Sequence, residues 1–460
     1  MTPLNADIHP HILPIPFRDP PTAFAPLAAR DMAVLLDSAL PGPQGRFSYI
    51  AVDPFHVLCC SAHPWRVTAD GRLQATDAFA ALADELQKWA QPSAGPAPFT
   101  GGAIGFFAYE LGGVLENTPV PKTTPWPADM VVGLYDTVAA FDHERQEAWI
   151  IAHDMGPGRA PAEVRARHLA ASLGTEPAAH ALPIAGAWHA ETARADYEAS
   201  VAAAIEAIRR GDIYQANITQ RFVAKIPATA SSYDLYMRLR SAAPAPFAAF
   251  FNAGDGLYIL SASPERFLKL AEGHVETRPI KGTRPRGATA AADQALASEL
   301  LNSAKDRAEN LMIVDLLRND LARVCKAGSV VVPALCQLET FPAVHHLVSV
   351  VTGLLRPNSS AVDLLRAAFP GGSITGAPKI KAMEIIHDLE PAARGPYCGT
   401  IAWFGFDGAM DSSIVIRTLV RRGTDLVAQA GGGIVAESDP AQEYDESLTK
   451  VKPLLSVLDS

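Results

Sequence analysis

The sequence has no Cys-x-x-Cys pair among its five cysteines, Cys59, Cys60, Cys325, Cys336 and Cys398. An odd count without that spacing argues against a disulfide framework or a thiolate zinc site, and fits a reducing cytoplasm. Basic runs are missing too: 39 Lys and Arg stand against 49 Asp and Glu, for a net charge of −10. Binding a phosphate backbone needs clustered cations, so nucleic acid is excluded as a partner. No uninterrupted apolar stretch is long enough to span a bilayer, which excludes a membrane role. The N-terminal MTPLNADIHPHILPIPFRDP lacks a basic segment followed by an apolar core, so it is not read as a signal peptide. Internal repeats are also absent.

What is present is a globular composition, 48% hydrophobic and 19% charged, over 460 residues. That length exceeds the usual single core, so two domains or one large composite domain is expected. Residues 1–153 hold short strand-like runs, RFSYIAV and MVVGLYDTVAAF, between Pro/Gly-rich turns. Residues 154–190, rich in Ala, Pro and Gly, read as a connector containing a short helix. Residues 191–460 are denser. ADYEASVAAAIEAIRRG reads as a helix ending at Gly211, DIYQANITQRF as a strand, and DRAENLMIVDLLRNDLARV as an amphipathic helix. TIAWFGFDGAMDSSIVIRTLVRR reads as two strands around an Asp407-Gly408 turn. A strand with Gly431-Gly432-Gly433 follows, and QEYDESLTKVKPLLSVL closes as a helix. Helices and strands mix without βαβ alternation, so the predicted class is α+β.

Two acidic pairs stand at i,i+3 spacing, Asp306 with Glu309 and Glu443 with Glu446. Each pair shares one helix face. Four carboxylates from two helices could hold Mg²⁺ and leave positions for water and an anionic substrate. Two solvated helix faces would give the same spacing. FPGGSITGAPKIKAMEIIHDLE is a Gly-rich turn entering a helix that Ser373 or Thr375 could cap, with Pro378 in its first turn. Free N–H groups at such a start bind anions, and an ordinary cap fits equally. Ala377 and Pro378 stand where a nucleotide P-loop needs Lys and Ser/Thr, so that motif is rejected. In ETRPIKGTRPRG, Lys281 lies among Arg278, Arg284 and Arg286. Neighbouring cations and desolvation would depress its pKa and free the amine as a nucleophile; a basic surface loop is the simpler alternative. Arg417 and Lys450 are further cations that could meet carboxylates. By themselves these residues describe an enzyme for a small polyanion and go no further.

The order of motifs resembles the chorismate-utilising enzymes. The matching segments are GDIYQANITQRF, SASPERFL, ETRPIKGTRPRG, DRAENLMIVDLLRNDL, HHLVS, FPGGSITGAPKIKAMEII, RGPYCGTI, SSIVIRTL and GGGIVAESDPAQEYDESLTK. LLDSA, GRFSYIA and GGAIGFFAYEL match more loosely. The resemblance implies two packed β-sheets surrounded by helices, with the N-terminal region contributing to the same sandwich. It implies that Glu309 and Glu446 ligate Mg²⁺, supported by Asp306 and Glu443, and that Glu265 is the general acid for the departing C4 hydroxyl. Tyr397, Arg417 and the N–H groups of Gly431, Gly432 and Gly433 would bind the enolpyruvyl carboxylate. Ser373, Thr375 and Lys450 would make further substrate contacts, and His346 is the active-site histidine of the family.

Two positions sort the family. Family members that add water to chorismate carry a lysine where this chain has Gln215, so ammonia rather than water is implied as the nucleophile. Anthranilate synthases read PIAGT where this chain reads PIKGT. A lysine at 281 resembles the aminodeoxychorismate-forming subgroup, in which it attacks C2 before ammonia enters at C4. That implies a role in para-aminobenzoate and folate biosynthesis. No Gly-x-Cys-x-Gly elbow is present, so a separate glutamine amidotransferase subunit is the implied source of ammonia. The rival readings are an anthranilate synthase component I and a catalytically silent chorismate-binding subunit. In related enzymes the segment matching LLDSA lines a tryptophan pocket.

Overall fold

The computed structural model describes residues 9–459, apart from 62–65, 76, 93–94, 117, 120–121, 123, 157, 177–183 and 343. Part of the N-terminal reading (residues 1–8) and part of the connector lie outside the described residues.

Two twelve-stranded sheets make the frame. One runs from His11–Ile15 through Glu147–Ala152, Thr137–Asp142, Phe47–Ala51, Val34–Asp37, Phe247–Asn252, Leu257–Ser263, Thr418–Arg422, Asp425–Ile434 and Gln215–Lys225 to His189–Ala190. Gly376–Ala377 also pairs with Gln215–Lys225. The other runs from Ile280–Pro285 through Val344–Leu354, His274–Thr277, Arg266–Ala271, Met410–Ile414, Thr400–Gly405, Gly102–Phe107, Met130–Tyr135, His56–Ser61 and Arg66–Ala69 to Arg72–Ala75, with Val331–Thr340 on Val344–Leu354. Each sheet therefore takes strands from before residue 153 and from after 191.

The central strands are buried on both faces, and period-2 alternation explains how. In Thr137–Asp142, Val138 and Ala140 enter an apolar cluster with Ile104, Phe106 and Val131 of the other sheet. Ala139 and Phe141 enter a second cluster with Phe24, Ala166 and Leu239 of helices on the outer face. A third cluster covers the outside of the second sheet with Phe79, Leu82, Leu364 and Leu365. Helices on each outer face and apolar side chains between the sheets give the α+β sandwich expected.

Two of the places where the chain changes sheets are neighbours. Leu257–Ser263 lies in the first sheet and Arg266–Ala271 in the second; Met410–Ile414 lies in the second and Thr418–Arg422 in the first. The crossings are tied together. Ile414 N–H donates to the Glu265 carbonyl at 3.1 Å, Ser263 Oγ to the Ile414 carbonyl at 2.6 Å, and Ala262 N–H to the Arg417 carbonyl at 3.0 Å. The Asp407-Gly408 turn joins two strands as read, but the second stops at Ile414. What looked like one strand to Arg422 is two, because Arg417 takes a left-handed backbone (φ 50°) that no strand can continue through.

Candidate active site

Glu265 sits on one crossing and Arg417 on the other. The Glu265 side chain is buried, and its carboxylate accepts hydrogen bonds from the Ser373 hydroxyl and the Ile280 N–H. Burial outweighs these bonds and the charges of Lys281 and Arg417, and pushes the carboxyl up to about 7. A group poised there can give a proton at neutral pH.

Lys281 lies on the strand Ile280–Pro285, and its Nζ donates to the Ser373 carbonyl at 3.3 Å. Burial pulls the ammonium below its ordinary range, helped by Lys450 and opposed by Glu309 and Glu265. Ser373 therefore touches both partners, Lys281 through its carbonyl and Glu265 through its hydroxyl.

The flanking arginines do not act as expected. Arg278 pairs with Glu339, Arg284 with Glu299 at 2.8 Å and Asp306 at 3.3 Å, and Arg286 with Asp293 at 2.8 Å. Each is matched by a carboxylate, so burial rather than a cluster of arginines depresses Lys281.

The loop carrying Ser373 also departs from expectation. The helix Lys379–Leu389 starts at Pro378 with no side-chain cap. Ser373 lies upstream in a 3₁₀ turn, Gly372–Ile374, and Thr375 closes it. The buried Thr375 hydroxyl donates to the Gly371 carbonyl at 3.0 Å, and its own carbonyl accepts from Asn217 N and Nδ2 at 2.8 and 3.0 Å. Thr375 holds the loop; neither residue caps the helix.

Gln215 opens the strand Gln215–Lys225, fully buried, and neither polar atom of its amide has a hydrogen-bond partner among the described residues. A Cβ on Gly433 would fall 2.0 Å from Gln215 Nε2. Glycine at 433 is what leaves room for that amide. Strand pairing of Gly431–Gly433 is to Thr219–Asn217 on one edge; on the other edge the pairing with Thr418–Arg422 stops at Ala428. Backbone along that free edge is open to an anion.

The Arg417 side chain has no hydrogen-bond or ion-pair partner among the described residues, and burial depresses its pKa against the pull of Glu265. His346 accepts or donates to Thr283 Oγ1 through Nδ1 at 2.8 Å. Burial, then Arg417, lowers it to about 4, so it is neutral at physiological pH. Tyr397 lies in the apolar cluster with Phe267, Ile374 and Ile414, where burial raises its hydroxyl well above the ordinary range; Arg394 and Glu390 are the charged neighbours acting on it. No hydrogen bond joins it to Lys281 or Glu265 among the described residues.

The carboxylates come from the helices Ala304–Ala322 and Pro440–Leu455. A Cβ on Gly432 would meet Glu443 Oε2 at 2.8 Å and Glu446 Oε1 at 3.7 Å, so these two converge over that backbone. Burial raises Glu309 and Glu443, and the charge of Glu443 adds to the rise at Glu309. Glu446 stays low because Lys450 pairs with it at 2.6 Å. Lys450 also donates to the Gly431 carbonyl at 3.1 Å. Asp306 is turned to Arg284 instead. Among the described residues no three His, Cys, Asp or Glu side chains lie close enough together to hold a metal by themselves. The oxygen chemistry and crowded negative charge nonetheless suit Mg²⁺, whose coordination shell normally includes water and substrate oxygens.

Lys305 went unread. It precedes Asp306, and its charge acts on Glu309, Glu443 and Glu446. With Glu309, Tyr214 and Met312 it lines a cavity of about 590 Å³. Its place inside an acidic motif was the available signal.

Residues 39–456 match the model of the chorismate binding enzyme family. The chain is 42% identical over 464 residues to the aminodeoxychorismate synthase component 1 of Klebsiella aerogenes, covering 98% of this chain and all of that one. It is 36% identical to the anthranilate synthase component 1 of Geobacillus stearothermophilus, covering 96% and 91%. The crystal structure of anthranilate synthase component I from Streptococcus pneumoniae superposes with a TM-score of 0.79 at 32% identity, over 90% of this chain and 93% of that one.

Proposed function

The chain belongs to the chorismate-binding enzyme family, and from that premise we propose that it converts chorismate and ammonia to 4-amino-4-deoxychorismate, with ammonia delivered by a separate glutamine amidotransferase subunit. The observation that carries this reading is the pairing of Lys281 and Glu265 across Ser373.

Lys281, depressed toward its neutral form by burial, attacks C2 of chorismate. The C1–C2 double bond shifts to C6–C1, the C5–C6 double bond shifts to C4–C5, and the C4–O bond breaks. Glu265, a carboxyl with its pKa near neutrality, gives its proton to the departing hydroxyl, which leaves as water. Ammonia then bonds to C4, the double bonds return to C5–C6 and C1–C2, and the C2–Nζ bond breaks to release the lysine. The proton shed by nitrogen can return to Glu265. The amine thus ends para to the ring carboxylate.

Around this pair, Arg417 and the open edge of Gly431–Gly433 offer positive potential to the enolpyruvyl carboxylate. The unpaired Gln215 amide faces the same Gly433 backbone and can bond substrate where a lysine would activate water. His346, held neutral, serves as a hydrogen-bonding group rather than an acid. Glu309, Glu443 and Glu446 would hold the Mg²⁺, which supplies charge neutralisation for a substrate carboxylate. The test is chromatography of the product made from chorismate, ammonium salt and Mg²⁺, with and without a lyase that aromatises aminodeoxychorismate. Aminodeoxychorismate is expected; anthranilate, or no turnover, overturns the reading.

A further inference from the structure

Behind the site lies a buried network that the chemistry above does not use. Arg394 is 2% exposed. Its guanidinium forks onto Glu390, with Nε to Oε2 at 2.9 Å and Nη2 to Oε1 at 2.7 Å. Its remaining donors leave the pair. Nη1 donates to the Ile374 carbonyl at 2.9 Å and Nη2 to the Asn217 carbonyl at 2.7 Å. One face of the guanidinium stacks 4.6 Å from the Tyr109 ring centroid. The main chain at Arg394 is fixed as well. Glu110 accepts from Arg394 N–H at 2.7 Å and Gly395 N–H at 2.9 Å, and Gln429 Nε2 donates to the Arg394 carbonyl at 2.9 Å. Glu390 Oε1 also accepts from Thr219 N–H and Oγ1 at 2.9 and 2.8 Å.

Both carbonyls that Arg394 holds belong to segments bearing site groups. Ile374 follows Ser373, which joins Lys281 to Glu265; Asn217 follows Gln215 by two residues on its strand. We infer that Arg394 is a positioning residue, whose guanidinium holds the Ser373 turn against the start of the Gln215–Lys225 strand and thereby sets the distance between the Lys281 amine and the Glu265 carboxyl. The far end of the same loop is pinned separately: Lys379 Nζ reaches Asp320 at 2.8 Å and the Ala368 carbonyl at 2.7 Å. A point cation suffices there. At Arg394 the planar fork is required, because four acceptors lie in different directions around one group.

The inference rests on the proposed amination, so the test carries one readout that needs no activity. Arg394→Lys keeps the charge and loses the fork; Arg394→Met loses both. At a temperature where circular dichroism shows each variant folded, kcat is expected to fall about a hundredfold, the scale of an ångström-sized misplacement. KM for chorismate should change far less, because Arg417 and the Gly431–Gly433 edge are left in place. Hydrogen exchange should quicken at 372–377 and 215–219 and stay unchanged in Thr137–Asp142. If neither Arg394 variant folds, Glu390→Gln keeps the shape and weakens the fork; it should lower kcat about tenfold with the same exchange pattern. Parental kcat in a folded variant, or unchanged exchange in the loop, overturns the inference. Absence of aminodeoxychorismate from the parental chain sinks the proposed reaction instead, while the exchange measurement still decides the role of Arg394.

Discussion

The two ends of the candidate site, Lys281 with Glu265 and the carboxylates of the two helices, are built on opposite principles. At the Lys281–Glu265 end, each ionisable group is pushed toward neutrality by burial, Lys281 downward and Glu265 upward, and one serine bridges both. It is complete without an added ion. At the other end, burial and like charge raise Glu309 and Glu443 against the pull of Lys305, and among the described residues only Glu446 of the three forms an ion pair, with Lys450. Negative charge is left over there. On the proposed reading, the first end moves protons and the second receives a cation.

The sharpest way to break the first end is Lys281→Ala. If the amine forms the covalent adduct, aminodeoxychorismate formation should fall by about 10³-fold or more, and intact-protein mass spectrometry with chorismate and no ammonia should lose its adduct. With PIAGT then in place, ammonia can attack C2 directly, and ortho-type product is expected above background. Parental output of aminodeoxychorismate from the variant would remove the nucleophile from the scheme.

Glu265→Gln comes next. Acid catalysis is worth roughly 10²–10⁴-fold. The acting form is protonated, so the parental rate should decline as pH rises through about 7. The glutamine variant should be slow and should lack that decline. A decline that survives in the variant would assign the acid elsewhere.

At the other end, Glu446→Gln should weaken the apparent Mg²⁺ affinity by more than tenfold in a titration followed by activity. Thermal melting gives an independent view. Glu309 and Glu443 hold protons more tightly folded than unfolded, since their folded pKa values are raised. Their contribution to stability therefore grows as pH falls through those values and is lost as pH rises, whereas Glu446, whose pKa is lowered, contributes the other way. Bound Mg²⁺ removes the penalty of burying the charged forms, so it should raise Tm more above neutrality than in acid. An equal shift at both pH values would detach the ion from these carboxylates.

How much of this contrast was legible in the sequence depends on whether local spacing or remote pairing decided it. Helix Ala304–Ala322 and strand Gln215–Lys225 follow from periodicity, and motif order placed Glu265, Lys281 and the carboxylates in one protein. The break at Arg417 was invisible, because SSIVIRTL is a β-branched run with no Gly, Pro, Asn or Asp to mark a turn, and only sheet membership splits it. The roles of Arg278, Arg284 and Arg286 were misread for a similar reason. Their partners Glu339, Glu299 and Asp293 come from other elements, and spacing within one segment says nothing about them. Arg394 was hidden in RGPYCGTI, since its acceptors at Asn217 and Ile374 are far away in sequence.

The smallest expected effect bears on where the second end stops. Spacing groups Asp306 with Glu309 as one acidic face. In the structure Asp306 Oδ2 accepts from Arg284 Nη2 at 3.3 Å, and its Cβ would lie 2.9 Å from a Cβ at Gly282. It is packed over the Lys281 strand with its charge already met, while Glu309 forms no ion pair among the described residues and feels Lys281 and Lys305 only through their charge. Asp306→Asn keeps the shape and still accepts from Arg284. A partly exposed ion pair is worth about 0–1 kcal/mol, so Tm should move little. The Mg²⁺ titration should match the parental one, in contrast to the displacement expected for Glu446→Gln. A titration shifted as far as that of Glu446→Gln would place Asp306 among the groups that hold the ion, and would mean that Arg284 lets go of it when substrate and metal arrive.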